Sequence, residues 1–299
     1  MRFGLFLGCN VPAVRPDVER AMRLTLPRLG VELVDLEGSA CCPAFGTFPS
    51  ADENAALAVS AWNFSIAEEL GVPMLTECGS CYSSLRLARR KLLEDSVRRE
   101  AVEHLLAKAG RTFRGTVEVR HVIDVLYSDV GTDRIAASLD FRMDGIGAVV
   151  QYPCHTLYPS ETVGFDNPAG RPRMLRELVE ALGASVRTYS REMQCCGGAG
   201  GFVKGSFAGA SGFAFRKLRA VLGETDAEAF VVSCVTCLEH LDRMQVELEK
   251  KEGLERGIPV FDYCQLLAVC MGFDPAEVAS ISAIPRDGLV SRIRRARPG

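Results

Sequence analysis

The run Gln194-Cys195-Cys196-Gly197-Gly198-Ala199-Gly200-Gly201 sets two adjacent cysteines directly against four glycines. Adjacent cysteines can seldom bond each other without straining the peptide between them. Both can, however, aim thiolates at one soft metal centre. Glycine removes the side chain that would keep the backbone away from such a centre, and its exposed N–H groups can hydrogen-bond to sulfide or another anion. A second copy stands upstream at Ala40-Cys41-Cys42-Pro43-Ala44-Phe45-Gly46.

The remaining cysteines are spaced around these pairs. Cys9 precedes Cys41-Cys42, and Cys78-Gly79-Ser80-Cys81 follows them. Cys154 precedes Cys195-Cys196, and Cys234-Val235-Thr236-Cys237 follows. A single cysteine, a pair and a C-x-x-C occur twice in the same order, which uses ten of the twelve cysteines. A repeat this long means duplicated domains rather than a solenoid. Cys9, Cys78, Cys154 and Cys234 each lie just past the end of an expected strand, at the edge of an open α/β sheet where ligands bind. Five thiolates per half are too many for tetrahedral zinc or an ordinary cubane, each of which takes four. A larger or irregular iron–sulfur cluster accounts for the fifth. Cys264 and Cys270 fall outside the pattern and read as core residues.

Two further residues have chemistry within reach of the cysteines. His155 follows Cys154 directly and reads either as a loop histidine capping a carbonyl or as a proton donor to a departing thiolate. Lys204, just past the glycine run, reads as a solvated lysine or as a holder of an anionic group on a substrate. His104, His121 and His240 receive no role.

The elements that must position these residues alternate short apolar runs with amphipathic stretches, the pattern of a parallel α/β sheet. Strands are expected at Phe3–Leu7, Val31–Leu36, Met74–Thr76, Ala148–Tyr152, Ser185–Thr188 and Ala229–Val232. Val119–Leu126 and Val260–Leu267 each read as an extended start, a polar residue (His121, Asp262) and an apolar helix. Helices are expected over Pro16–Leu29, with Pro27 ending it early, and from an Asp52 cap to Leu70 with Gly71 as its stop. Ala55, Val59, Trp62, Ile66 and Leu70 form the expected buried face of the latter. Further helices are expected from Ser80 to about Glu94, after a cap at Asn167-Pro168, and over Cys234–Lys250. The region 92–144 is read as mostly helical. Gly145–Gly147 marks the junction of two domains, 1–144 and 145–299. The arginine-bearing tail, with Arg286, Arg292, Arg294, Arg295 and Arg297, reads as a frayed, solvated terminus or a docking tail for an acidic partner.

The bulk properties describe an ordinary soluble globular protein, 47% hydrophobic and 24% charged. A net charge of −3 excludes a general nucleic-acid binder. The first apolar run is too short for a secretory segment, and no stretch is long enough to span a bilayer. The expected location is the cytoplasm, where a cysteine-rich chain uses its thiols for metal or catalysis more than for disulfides.

Each half resembles the cysteine-rich CCG domain, and the whole chain resembles the B subunit of heterodisulfide reductase. That family's pattern is a cysteine, Cys-Cys-Gly and C-x-x-C at such gaps. The second half matches fully, and the first departs at Pro43, where the glycine is expected. The resemblance implies two noncubane [4Fe-4S] clusters. Cys9, Cys41, Cys42, Cys78 and Cys81 hold one, and Cys154, Cys195, Cys196, Cys234 and Cys237 the other. They face each other across the domain interface with a small-molecule disulfide between them. The chain lacks both the ferredoxin cysteine run and a dinucleotide fingerprint. A ferredoxin-like subunit and a flavin-containing subunit are therefore implied as partners.

The leading expectation is a disulfide reductase, acting on the heterodisulfide of coenzymes M and B or a bacterial counterpart. Two other readings stand beside it. One is an electron-transfer subunit of a quinone-linked dehydrogenase or of an aromatic-ring (benzoyl-CoA type) reductase complex. The other is a structural zinc protein.

Overall fold

The computed structural model describes residues 1–166, 172–253 and 257–296. Asn167, Pro168 and Arg297 lie outside the described residues.

Two four-stranded sheets are built in the same way. The first orders its strands β2-β1-β3-β4, all parallel, from β1 (Arg2–Leu5), β2 (Glu32–Asp35), β3 (Met74–Thr76) and β4 (Val119–His121). The second orders β6-β5-β7-β8, again all parallel, from β5 (Gly147–Gln151), β6 (Ser185–Val186), β7 (Ala229–Val232) and β8 (Val260–Asp262). The inner strands β5 and β7 are buried along their whole length, as the apolar runs Ala148–Val150 and Ala229–Val232 require of a sheet covered on both faces. Val231 pairs with Val150 on one side and Phe261 on the other.

Helices join the strands: α1 (Pro16–Arg28), α2 (Glu53–Leu70), α3 (Gly79–Glu94), α4 (Ser96–Ala107), α5 (Met174–Ala181), α6 (Phe207–Glu224), α7 (Val235–Glu252) and α8 (Tyr263–Cys270). α2 starts as its sequence demands, with Asp52 Oδ1 accepting from Ala55 N at 2.9 Å, and stops at left-handed Gly71. α8 packs on α1 and ties the halves together. Cys264 and Cys270 are buried in α8, and burial pushes both thiols up.

Several expectations are corrected. α1 runs through Pro27 to Arg28, because a proline in the last turn removes only one hydrogen bond before the helix would end anyway. The stripe expected on α2 meets its buried face only at Ile66. Ala55, Val59 and Trp62 are half-buried and Leu70 is exposed, while Ser60, Asn63, Phe64 and Ala67 are buried. Polar residues at core positions mislead a hydrophobic-period reading. Region 92–144 is mostly helical as expected, with α4, a π-helical turn at Val125–Val130 and a short helix at Thr132–Ala137, and it also supplies β4. The described part of the tail, up to residue 296, is not frayed. Asp287–Ile293 is helical with Leu289, Val290 and Ile293 buried. Buried Arg286 donates to the Ala279 carbonyl at 3.1 Å and to that of Val260, with its guanidinium 4.4 Å from the Phe261 ring centre.

Candidate metal centre

The parallel order turns every strand's C-terminal end to one edge, and ten cysteines follow those ends. Cys9 comes after β1, Cys41-Cys42 after β2, and Cys78 after β3. Cys154, Cys195-Cys196 and Cys234 repeat this after β5, β6 and β7. Cys78 and Cys234 are the residues capping α3 and α7, so Cys81 and Cys237 sit in the first turns of those helices. Unpaired N–H groups and the positive end of each helix therefore face the C-x-x-C thiols.

The ten sulfurs form one row. Cys9 meets Cys41 at 3.9 Å, Cys154 meets Cys195 at 3.7 Å, and Cys78 meets Cys234 across the two halves at 3.9 Å. Between these contacts Cys41 pairs with Cys42, Cys42 with Cys81, and Cys81 with Cys78. In the second half Cys234 pairs with Cys237, Cys237 with Cys196, and Cys196 with Cys195. The middle of the row is buried, whereas Cys9 and Cys41 are exposed and Cys154 and Cys195 partly so. Among the described residues, no group of three or more His, Cys, Asp or Glu side chains is arranged around a single metal ion.

Contact between thiols splits their acidities. Hydrogen bonds from Cys41 and Cys81 pull Cys42 down to about 5, and pairing with Cys42 pushes Cys41 up. Hydrogen bonds from Cys154 and Cys196 pull Cys195 down to about 2, while Cys154 goes up. One thiolate is favoured at its neighbour's expense, because adjacent negative charges repel. All ten can ionise together only if positive charge enters among them, which is what metal ligation supplies.

The backbone is shaped for charged sulfur. Gly197 N donates to Cys195 Sγ at 3.3 Å and Gly198 N to Cys196 Sγ at 3.4 Å. Gly197 has φ +89°, and a Cβ there would stand 2.6 Å from the Ala210 carbonyl oxygen, so no other residue fits. Pro43, at the equivalent place in the first half, has no N–H to donate. Soft donors, N–H groups aimed at sulfur and bare glycine backbone together fit an iron–sulfur group.

The two halves meet at this row. The Phe45 ring stacks on His155 with centres 3.6 Å apart, and His155 Nδ1 lies 3.4 Å from Ser83 Oγ. Burial lowers the His155 pKa, while the charges of Cys195 and Cys78 raise it. Left-handed Gly46 faces the Gly200 backbone, where a Cβ would stand 3.1 Å from the Gly200 oxygen. A cavity of about 380 Å³ lined by Pro43, Phe45, Leu57, Ser84 and Leu87 abuts the Phe45–His155 stack. The expected cleft between the two cysteine sets is instead a closed contact at Cys78 and Cys234, both buried. Lys204 stands exposed on the short helical turn Phe202–Gly205.

Sequence reasoning missed a buried polar group behind that contact. Glu77 Oε2 accepts from Val235 N at 3.1 Å, and its carbonyl oxygen lies 2.7 Å from His121 Nε2. His121 Nδ1 accepts from Ile123 N at 3.2 Å, so Nε2 carries the proton and donates. Burial pushes the Glu77 carboxyl up, helped by Asp262, whose own carboxyl burial also raises. Two buried carboxyls this close disfavour carrying charge together. The repeat pattern marked His121 and Asp262 as equivalent polar positions, but Glu77 had no pattern of its own.

The cysteine-rich CCG domain profile matches residues 3–86 and 148–242, the segments that carry the two cysteine sets. A protein of Archaeoglobus profundus described as like the B subunit of heterodisulfide reductase is 41% identical over 98% of each chain. The B subunit of a ferredoxin:CoB-CoM heterodisulfide reductase of Methanosarcina mazei is 34% identical over 93% of this chain and 91% of its own. An 8-methylmenaquinol:fumarate reductase membrane anchor subunit of Wolinella succinogenes is 27% identical over 92% of this chain and 94% of its own. A crystal structure of a hypothetical protein from Helicobacter pylori superposes with TM-score 0.73 at 11% identity, over 93% of this chain and 50% of that one, and speaks for the fold alone. No described helix is long and apolar enough to cross a membrane.

Proposed function

The chain belongs to the cysteine-rich CCG domain family, among the B subunits of heterodisulfide reductases, and we propose that it is the disulfide-cleaving iron–sulfur subunit of a multisubunit reductase. The observation that carries this reading is the 3.9 Å contact between Cys78 and Cys234, which brings two five-cysteine sets to one place. The two domains, 1–144 and 145–299, each hold one noncubane [4Fe-4S] cluster. Cys9, Cys41, Cys42, Cys78 and Cys81 are the ligands of the first, and Cys154, Cys195, Cys196, Cys234 and Cys237 of the second. Such clusters supply single electrons, and cleaving a disulfide to two thiols takes two.

The chain's own residues hold and orient. The Gly197 and Gly198 N–H groups favour negative charge on the sulfurs they contact. His155, beside Cys154 and against Phe45, is placed to deliver a proton to a departing thiolate; burial lowers its pKa, and negative charge at Cys195 and Cys78 offsets part of that loss. The cavity against Phe45 is large enough for one arm of a small disulfide. Exposed Lys204 is available to an anionic group on the other. A ferredoxin-like subunit and a flavin-containing subunit deliver the electrons, and the protein works in the cytoplasm.

Similarity to the quinol:fumarate reductase subunit favours a second reading, in which the same clusters relay electrons with no disulfide. The test is turnover by the anaerobically purified chain. The reductase reading expects cleavage of a small disulfide with a strong artificial reductant and none with a nicotinamide donor. Full reduction of the clusters with every disulfide left intact selects the relay, and nicotinamide-driven turnover by the single chain contradicts both.

A further inference from the structure

α2 and α6 are the same helix in the two halves, each of 18 residues. Asn63 on α2 and Lys217 on α6 each lie 22 residues beyond the first cysteine of the adjacent pair. Both side chains are buried and both tie down the loop that bears that pair. Asn63 Oδ1 accepts from Ala40 N at 2.7 Å and its Nδ2 donates to the Cys41 carbonyl at 3.1 Å. Lys217 Nζ donates to the Tyr189 hydroxyl at 3.2 Å, to the Glu192 carbonyl at 3.2 Å and to the Arg191 carbonyl. The structural task is shared, but one tie is neutral and the other is a cation.

The three acceptors saturate the ammonium's three N–H bonds, and all three are uncharged. The carboxylate of Glu192 is engaged by Arg176 at 3.0 Å. A buried ammonium needs a counter-charge. The carbonyls that hold it belong to Arg191 and Glu192, four and three residues ahead of Cys195, and α6 packs on α7, whose first turn carries Cys237, so its charge is set beside the thiolates that Cys195, Cys196 and Cys237 become when they bind metal. Burial lowers the Lys217 pKa to about 8 while those thiolates raise it, so the residue stays mostly charged near neutrality. The second set also has the N–H of Gly197 on Cys195, where the first has Pro43.

We propose that Lys217 makes the two cysteine sets electrostatically unequal, holding a fixed positive charge against Cys195, Cys196 and Cys237 so that the second set's iron–sulfur cluster takes up an electron more readily than the first's. This rests on the cluster reading above. The electron comes one at a time from a low-potential iron–sulfur donor, and Lys217 neither gains nor loses a proton or a bond. Charge added in the second half is met by a charge already in place, so reducing power collects on the side of His155. Lys217 is a positioning residue for charge and has no contact with the reacting atoms.

The test is an anaerobic redox titration of the full chain, followed by electron paramagnetic resonance, on the wild type and on Lys217→Met, Lys217→Gln and Lys217→Arg. Lys217→Met and Lys217→Gln should lower only the higher of two midpoints, by about tenfold in the reduced-to-oxidised ratio, or about 59 mV for a one-electron couple. Lys217→Arg should restore it. Unchanged midpoints at full iron content overturn the inference, as does an equal shift of both. If the neutral variants do not fold, Cys195→Ala with Cys196→Ala decides it. Loss of the higher transition supports the inference, and loss of the lower one overturns it. A wild-type chain without iron and sulfide instead removes the cluster reading on which the inference stands.

Discussion

Cys78 of the first half and Cys234 of the second meet sulfur to sulfur at 3.9 Å, each as the capping residue of its own helix. Neither half contains both residues, so the contact exists only because the two sheets turn the same edge toward each other. It makes one row out of two cysteine sets, and what the row holds can be measured.

Anaerobically isolated protein should be brown and carry about eight irons with matching acid-labile sulfide, as two four-iron clusters require. Metal and sulfide analysis checks this. Stoichiometric zinc without sulfide contradicts it and selects the structural zinc reading.

The halves should load independently. Cys195→Ala with Cys196→Ala should retain about half the iron, because the first set keeps all five of its thiols. Loss of all iron from a variant whose circular dichroism is unchanged would mean that the row behaves as one site.

Asn63→Ala should destabilise the chain by about 1–3 kcal/mol, since it leaves the Ala40 N–H and the Cys41 carbonyl without their partner. Denaturant unfolding measures the loss. Iron should fall at the first set and not at the second. Equal loss at both sets would contradict a local role.

His155→Ala should keep both clusters and slow disulfide cleavage by something like 10²-fold if proton delivery limits the rate. The comparison is turnover against iron content in one preparation. A rate unchanged at full iron content returns His155 to a stacking partner of Phe45.

Much of this was legible in the chain. The strand-then-cysteine pattern put Cys9, Cys78, Cys154 and Cys234 past strand ends, where they are found, and the Asp52 cap and Gly71 stop are observed where the residue types place them. What could not be read depends on contacts between residues far apart in sequence. Glu77 and Asp262 look like solvent-seeking carboxylates until β3 and β8 bury them together at the join of the halves. Arg286 looks like part of a solvated tail until Phe261 and two carbonyls receive it. Asn63 and Lys217 break the apolar stripes of their helices, and only the position of the cysteine loops explains why a polar group is wanted there.

The central claim is that both cysteine sets serve one disulfide. Crystals grown anaerobically, soaked with a small disulfide and measured at the iron absorption edge, test it most directly. The account predicts two separate iron clusters, one on each side of the Cys78–Cys234 join, with the cleaved sulfurs between them and His155 beside one of the two. Iron present with the disulfide bound away from that join, or touching one cluster alone, contradicts it.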